Sequence, residues 1–485
     1  MAANASDKAF IEILVSIAAV IDKHMRSPTM LLDDLETAST PSPYMTTQQK
    51  LLDAVANLLP RHPKERIALA VRTDKLQIFI TSSDDTCDQR ELNAYLSGLW
   101  VVLKHVAQFH CAFLFHLRDR QRRLKNAGDT ESKIVDEKSD ERTAQFAKEG
   151  RDLYAKLGEL VYTRCRGRLV HEIKRRWNNF QSCLSFLRTK ASDMGAEHRA
   201  TVLQIVDDLA KYLSAILDGK AIQDATGRTL SLYTTIAHIY LWQKKTDFKE
   251  LVVPLSAEYR NISGFDLCVY LTRVGAINAS LEAACISTRQ STIRNLFSRE
   301  FSITVTPPRY QTPASLPTTS AAWTAFLERY ADREDIRFLH PKEIVRLLLE
   351  AYPPATSPVP APARCHSELE LFAYLYDEGI AQGMVNPPSG EEEDLYIATS
   401  HRPCFACIWY FGVVRWDLFK YRLPELDTRY DYNRSTFPWQ IPEGKLESEH
   451  YVKYLFKGDL ARRLSSRFTE YGIAVARERE IFQIR

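Results

Sequence analysis

The chain has 485 residues, 45% of them hydrophobic and 26% charged, and a formal net charge of +3. That length suits about two to four domains with real cores, and so near-neutral a balance neither demands nor excludes a nucleic-acid partner. Nine scattered cysteines, an odd number with no secretory leader, argue against a disulfide scaffold and for reduced, buried thiols.

The first predicted element is AFIEILVSIAAVI (9–21). It has the look of a signal core, but Glu12 interrupts it, Asp7 precedes it and no basic leader flanks it, so it reads as a packed helix. No later window reaches about 18 uninterrupted apolar residues. No membrane span is therefore expected, and the chain reads as soluble and intracellular, in cytoplasm or nucleus. Residues 26–46 form a linker rich in Pro, Ser and Thr. TQQKLLDAVANLLPR (47–61) places apolar residues at 51, 52, 55, 58 and 59, a helical spacing that stops at Pro60. In RIALAVRTDKLQIFITSS (66–83) Ile67, Leu69 and Val71 alternate on one side of Thr73-Asp74, and Leu76, Ile78 and Ile80 on the other. That is the pattern of a hairpin, free-standing on helices or part of a larger sheet.

From 90 to about 300 the periodicity is helical almost throughout, as in ELNAYLSGLWVVLKHVAQFHCAFLFHL (91–117). Residues 124–150, charged and sparsely apolar, are expected as a partly mobile connector. ITVTPPRYQTPASLPTTS (303–320) reads as a boundary. Helix returns over 321–352, and PPATSPVPAPAR (353–364) delivers an extended segment to Cys365 and His366.

His366-Ser367-Glu368 then opens HSELELFAYLYDEG, apolar at 369, 372, 373 and 376 on one face with Leu371 and Leu375 on the other, the mark of a helix buried nearly all round. LYIATS (395–400) reads as a core strand. It runs into HRPCFACIWYFGVV, where Pro403 suits the first turn of a helix and Cys404 and Cys407 share a face. A helix N-terminus favours thiolate over thiol. H-x-E followed by P-C-x-x-C is the signature of zinc deaminases. Two thiolates and a neutral imidazole cancel the charge of Zn²⁺ and leave a fourth tetrahedral position for water, whose pKa falls from about 15.7 toward about 7. Glu368, at the helix's first turn, reaches toward the same ion and passes the water's proton to the ring nitrogen and the leaving ammonia.

With these residues, the segment from about 335 to 480 resembles the cytidine deaminase-like superfamily, and within it the OTT_1508-like deaminases, a family with many fungal members. The resemblance implies that His366, Cys404 and Cys407 are zinc ligands and that Glu368 is the catalytic proton shuttle. Ser400 stands where many relatives carry Ser or Thr. The family's core has a helix and a β-hairpin ahead of the H-x-E helix, where this chain has the Pro-rich run 353–364. The missing parts are therefore expected upstream, with 47–61 as the helix and 66–82 as the hairpin. The expected fold is α/β, a three-layer deaminase-like core (a mixed sheet with helices on both faces) plus a large all-α region. Its expected division is 1–46 (N-terminal helix and linker), 47–87 (first helix and hairpin), 88–350 (helical insertion) and 351–485 (zinc domain). Downstream, FPWQIP (437–442) is expected to end a fourth strand, 446–472 to form a long helix, and 473–480 a last strand in parallel pairing.

The implied function is zinc-dependent hydrolytic deamination of a nucleobase, as free nucleotide or in nucleic acid, by zinc-bound hydroxide. The alternative is a catalytically silent, zinc-stabilised interaction or nucleic-acid-binding protein, with Cys365 or His401 as a fourth ligand closing the site. His401 otherwise reads as a solvated loop residue, and Glu370 as a solvent or capping carboxylate. Phe405, Trp409 and Trp439 are candidates to stack on a base, although core packing is the commoner fate of such aromatics. Two basic stretches, Arg164 to Arg176 and Lys453 to Arg467, are solvated helix faces or phosphate tracks.

Overall fold

Helical and alternating patterns compete along the chain, and the computed structural model shows where each prevails. It describes residues 2–24, 46–72, 76–84, 88–126, 129–220, 222–223, 229–297, 299–311, 314–334, 341–353, 363–381, 396–401, 404–418, 439–440 and 460. The linker at 26–45, Pro403 and, apart from Trp439, Gln440 and Leu460, the expected elements beyond 437 lie outside the described residues, as does the second basic stretch.

Helix α1 (Ala2–His24) buries Ile11, Leu14, Val15 and Ile21, so the apolar run at 9–21 is a packed helix. Helix α2 (Thr47–Leu58) opens on a capping box, the Thr46 hydroxyl accepting from the Gln49 N–H while the Gln49 side chain accepts from the Thr46 N–H. Strands β1 (Ile67–Arg72) and β2 (Gln77–Ser82) form the expected antiparallel hairpin, with Leu69 opposite Ile80.

The helical body follows: α3 (Gln89–Asn126), α4 (Asp129–Arg175), α5 (Trp177–Ala191), α6 (Ala196–Asp218), α7 (Leu232–Lys244), α8 (Val253–Ser263), α9 (Leu267–Ser287) and α10 (Ser291–Phe297). A two-residue ribbon, β3 (Ile222–Gln223) with β4 (Thr229–Leu230), interrupts it. The charged stretch at 124–150 is thus the end of α3 and the start of α4, not a connector, apart from the two residues between them. A helix lying along a neighbour needs only a narrow inward stripe. Thr143, Phe146 and Gly150 supply it, the last so close to Phe109 that a Cβ there would stand 2.8 Å from the ring. The segment Gln89–Arg123 is long and apolar enough to cross a membrane by length and composition, where none was expected. Its Leu92, Leu96, Leu99, Trp100 and Leu103 are buried in the helical core.

The stretch expected as a boundary holds a strand instead. β5 (Ser302–Val305) pairs parallel with β2, its Thr304 opposite Phe79. Next come β6 (Tyr310–Gln311), α11 (Ser320–Glu334), α12 (Pro341–Ala351), β7 (Ala363–Arg364), α13 (Ser367–Asp377), β8 (Ile397–Thr399) and α14 (Phe405–Leu418). β8 pairs antiparallel with β1 in the register Ala68–Thr399, Leu69–Ala398 and Ala70–Ile397. The result is a mixed sheet in the order β5-β2-β1-β8. One face, with Ile67, Leu69, Val71, Ile78 and Ile80, is buried in the core of the helical body. The other, with Ala68, Ala70, Phe79 and Ile397, packs with α1, α11, α12, α13 and α14. Alanine on that second face lets α13 lie close to β1. The fold is α/β, a small mixed sheet with helices on both faces joined to a large helical region.

Candidate metal centre

The H-x-E and C-x-x-C motifs meet because the two helices that carry them begin at the same place. His366 is the N-cap of α13, extended at φ −62° and ψ 138°, so its side chain leaves from the helix end. Cys404 immediately precedes α14 and its carbonyl accepts from the Ile408 N–H, while Cys407 sits in the first turn. His366 Nδ1 lies 3.1 Å from Cys407 Sγ and 3.4 Å from Cys404 Sγ, and the two sulfurs are 3.3 Å apart. All three residues are buried or nearly so.

These three atoms form a group able to hold a metal ion. With bonds of about 2.3 Å to sulfur and about 2.0–2.1 Å to nitrogen, tetrahedral ligands stand about 3.5–3.8 Å apart. The triangle needs to spread by about half an ångström or less to take such an ion, and a donor set of two thiols and an imidazole is consistent with zinc. Cys365, the neighbour weighed as a further ligand, stands apart from the group. Its sulfur points to Gln440 Oε1 at 3.9 Å, and burial pushes its thiol up to about 12.

The electrostatics split the cysteine pair. Burial works against the Cys404 thiolate, but the hydrogen bond from Cys407 and the charge and hydrogen bond of His366 outweigh it and hold Cys404 well below the usual thiol range. Burial, with the Cys404 charge close by, holds Cys407 well above it. For His366, burial favours the neutral ring, but the Cys404 thiolate and Glu368 outweigh it and raise its pKa. Two helix N-termini facing the sulfurs add to the bias toward negative charge. Trp439 donates its indole N–H to Cys407 Sγ at 3.3 Å.

Glu368 is fully buried in the first turn of α13. Its Oε1 lies 3.8 Å from His366 Nδ1 and has no hydrogen-bond partner among the described residues. Its Oε2 accepts from Ser367 Oγ at 3.3 Å and lies 3.6 Å from His401 Nε2. Burial works to raise its pKa, but His401 and His366 outweigh it and keep the carboxyl below its ordinary range.

His401 is not the solvated loop residue expected. It is partly buried against Glu368, and burial pushes its pKa down to about 4. Nor does it join the ligand group. Strand alternation explains its placing, since Ile397, Thr399 and His401 fall on the same side of β8. Glu370, expected in solvent or at a cap, is fully buried and accepts the Arg309 N–H, so the loop after β5 draws it inward.

Of the residues expected to touch a substrate, Ser400 is buried and locks the end of β8 to β1. Its hydroxyl accepts from the Ile67 N–H and its N–H donates to the Ile67 carbonyl, both at 2.8 Å. Phe405 is the first residue of α14. Trp409 is partly buried against the apolar cluster of that helix layer. Trp439 is fully buried, edge-on to Tyr410 at 6.1 Å between centroids. In the first basic stretch, Arg164 is committed to Glu91, to the Leu59 carbonyl and to the Tyr95 ring, and Arg168 to the Asn57 carbonyl. These two side chains brace the body.

A second group with metal-capable side chains, His62, Glu65 and Asp84, went unnoticed in the sequence because its members follow no ligand spacing. Arg61 reaches Asp84 at 3.1 Å and Glu91 at 3.0 Å, and His62 reaches Asp84 at 2.8 Å, so an ion-pair network already balances it. No protein-family model, curated protein or solved structure matches the chain.

Proposed function

We propose that this chain is a zinc-dependent hydrolytic deaminase of a nucleobase, presented as a free nucleotide or within nucleic acid. One observation carries the proposal. An ionised, fully buried carboxylate with one unpartnered oxygen stands beside a convergent His–Cys–Cys triangle. The order H-x-E then C-x-x-C supports it, as does a β-hairpin recruited from 66–82 to β8, the strand ahead of α14. A deaminase-like core calls for that helix, hairpin and strand in that arrangement.

His366 Nδ1, Cys404 Sγ and Cys407 Sγ would hold zinc, which would supply Lewis acidity and lower a bound water's pKa from about 15.7 toward about 7. The chain's residues do the rest. Glu368, ionised, accepts the water's proton on Oε1, the oxygen without a partner, and returns it to the substrate. The water's oxygen would add to the ring carbon bearing the exocyclic amine as the ring nitrogen takes the first proton from Glu368, and the second proton, from the added hydroxyl, would pass to the amine, so that the C–N bond breaks, ammonia leaves and a carbonyl remains. His401, its ring neutral near pH 7, flanks Oε2 without cancelling the carboxylate's charge. Trp439 fixes the Cys407 sulfur.

Metal analysis of the purified protein, joined to an ammonia screen over nucleosides, nucleotides and short oligonucleotides, tests this. The expected result is about one zinc per chain and ammonia from at least one substrate. Glu368→Gln should keep the zinc and lose about 10²–10⁴-fold in rate. A zinc-loaded wild type that releases no ammonia anywhere in the panel would favour a silent, zinc-stabilised protein. Salt-sensitive retention on single-stranded nucleic acid without turnover would favour a binding module.

A further inference from the structure

The sheet register carries one more residue to this centre. β1 and β8 pair with Ala68 opposite Thr399, and the pairing continues past the strand ends through the two Ile67–Ser400 hydrogen bonds. Extended one more step, the register sets Arg66 opposite His401. Alternation fixes its face. Ile67 and Leu69 are buried on the helical-body side and Ala68 and Ala70 on the metal side, so Arg66 leaves the strand on the metal side. Glu65 turns the opposite way, toward Ser82 at 3.2 Å and Arg164 at 4.0 Å.

Arg66 is half-buried, and only its backbone is engaged, with Ser83. Its guanidinium makes no hydrogen bond or ion pair with any described residue. Other described guanidiniums are committed, Arg61 to Asp84 and Glu91, Arg164 to Glu91, and Arg309 to Asp377. The Arg66 charge is nonetheless close enough to bear on both His366 and His401. A half-buried guanidinium with no hydrogen-bonded or ion-paired anion among the described residues is open to one. Planar paired N–H groups suit a phosphate oxygen pair.

We propose that Arg66 binds a phosphate group of the substrate, so that the site takes a phosphorylated nucleotide in preference to the nucleoside or the free base. This rests on the deaminase reading for the base, though not for the phosphate. The phosphate is either the 5′-phosphate of a free nucleotide or the backbone phosphate of a strand.

Calorimetric binding on the zinc-loaded protein, using cytidine, adenosine and guanosine with their 5′-monophosphates, tests it. The wild type should prefer at least one monophosphate over its nucleoside by about 10- to 100-fold. Arg66→Ala should reduce that preference to about 3-fold or less with zinc content and melting temperature unchanged, and Arg66→Lys should restore part of it. The same loss on a ten-nucleotide single strand, with monophosphates bound no better than nucleosides, supports the proposal with the strand as the phosphate source. Phosphate-independent binding in the wild type, or a preference that survives Arg66→Ala, overturns it. Ammonia release with an Arg66-independent preference sinks this inference alone, whereas an Arg66-dependent preference without ammonia release sinks the deaminase reading alone.

Discussion

β1 shows Ile67, Leu69 and Val71 to the helical body and Ala68 and Ala70 to α13 and the His–Cys–Cys group. On the body side the buried His110 ring is satisfied at both nitrogens, bonding Thr288 through Nδ1 and Tyr154 through Nε2, both at 2.8 Å, although Trp100 Nε1 and Tyr162 OH there have no partner among the described residues. On the metal side the titratable groups are less well met, since Glu368 Oε1 and both nitrogens of His401 lack hydrogen-bond partners among the described residues. Buried unpaired polar atoms cost stability, typically about 1–3 kcal/mol each. On the metal side that cost falls on titratable side chains beside the His–Cys–Cys group, the kind of group that buried functional sites gather. One strand thus serves both purposes, large apolar side chains holding the body while small ones leave room for the site.

The strongest way to break this contrast is to remove a candidate ligand. Cys404→Ser should lower metal affinity by more than ~100-fold, read as loss of zinc by elemental analysis and chelator competition. Metal binding energy is also folding energy, so the melting temperature should fall on that change and on chelation of the wild type. Full zinc retention in the variant would show that Cys404 is no ligand. On the opposite face, Leu69→Ala should cost about 2–5 kcal/mol in denaturant unfolding, with zinc stoichiometry intact in the folded fraction. A cost well under about 1 kcal/mol would mean that this side is not the packed core.

The satisfied histidine sharpens the contrast through pH. Burial, aided by Arg289 and Arg294, pushes the His110 pKa from the usual 6.5 down to about 4. The depressed value means that the unfolded chain binds the proton first. His110 therefore contributes stability above about pH 6.5, which is lost as pH falls toward about 4. The contribution is on the order of 2–3 kcal/mol. Wild type minus His110→Gln stability, measured from pH 7 to 4, should shrink over that window. A difference flat with pH would place the ring in solvent.

How far the sequence reached depends on distance along the chain. The hairpin at 66–82 and the two helix starts at 366 and 404 were legible because alternation, caps and ligand spacing are local patterns. The upstream hairpin could be placed in the sheet only because the family resemblance supplied a gap to fill. Ser302–Val305 carried an alternating Ile-Thr-Val core but was masked by the prolines behind it. The long pair α3–α4 was masked by a charged exterior that says nothing against helix. Glu370, His401 and Arg66 were illegible in principle. Each owes its environment to a partner far away in sequence, as with the Ile67–Ser400 bond spanning 333 residues. A register between such strands leaves no trace in either one alone.

Trp439 gives the smallest expected effect and the finest distinction. Expected from the sequence as a base-stacking candidate, it lies fully buried with its indole N–H on Cys407 Sγ and its ring against Tyr410. A donor aimed at a ligand sulfur orients it and tunes its basicity, and losing such a partner costs about 10-fold or somewhat more in metal affinity. Trp439→Phe deletes the N–H and keeps an aromatic face. If the N–H is what matters, zinc affinity by chelator competition should drop about 10-fold while nucleotide affinity of the fully loaded protein holds. If the ring instead stacks on substrate, the phenyl group should keep part of the nucleotide binding and zinc affinity should not move. The second outcome would also mean that the indole turns out of the core when substrate binds, since a side chain with no exposed surface has no face to offer.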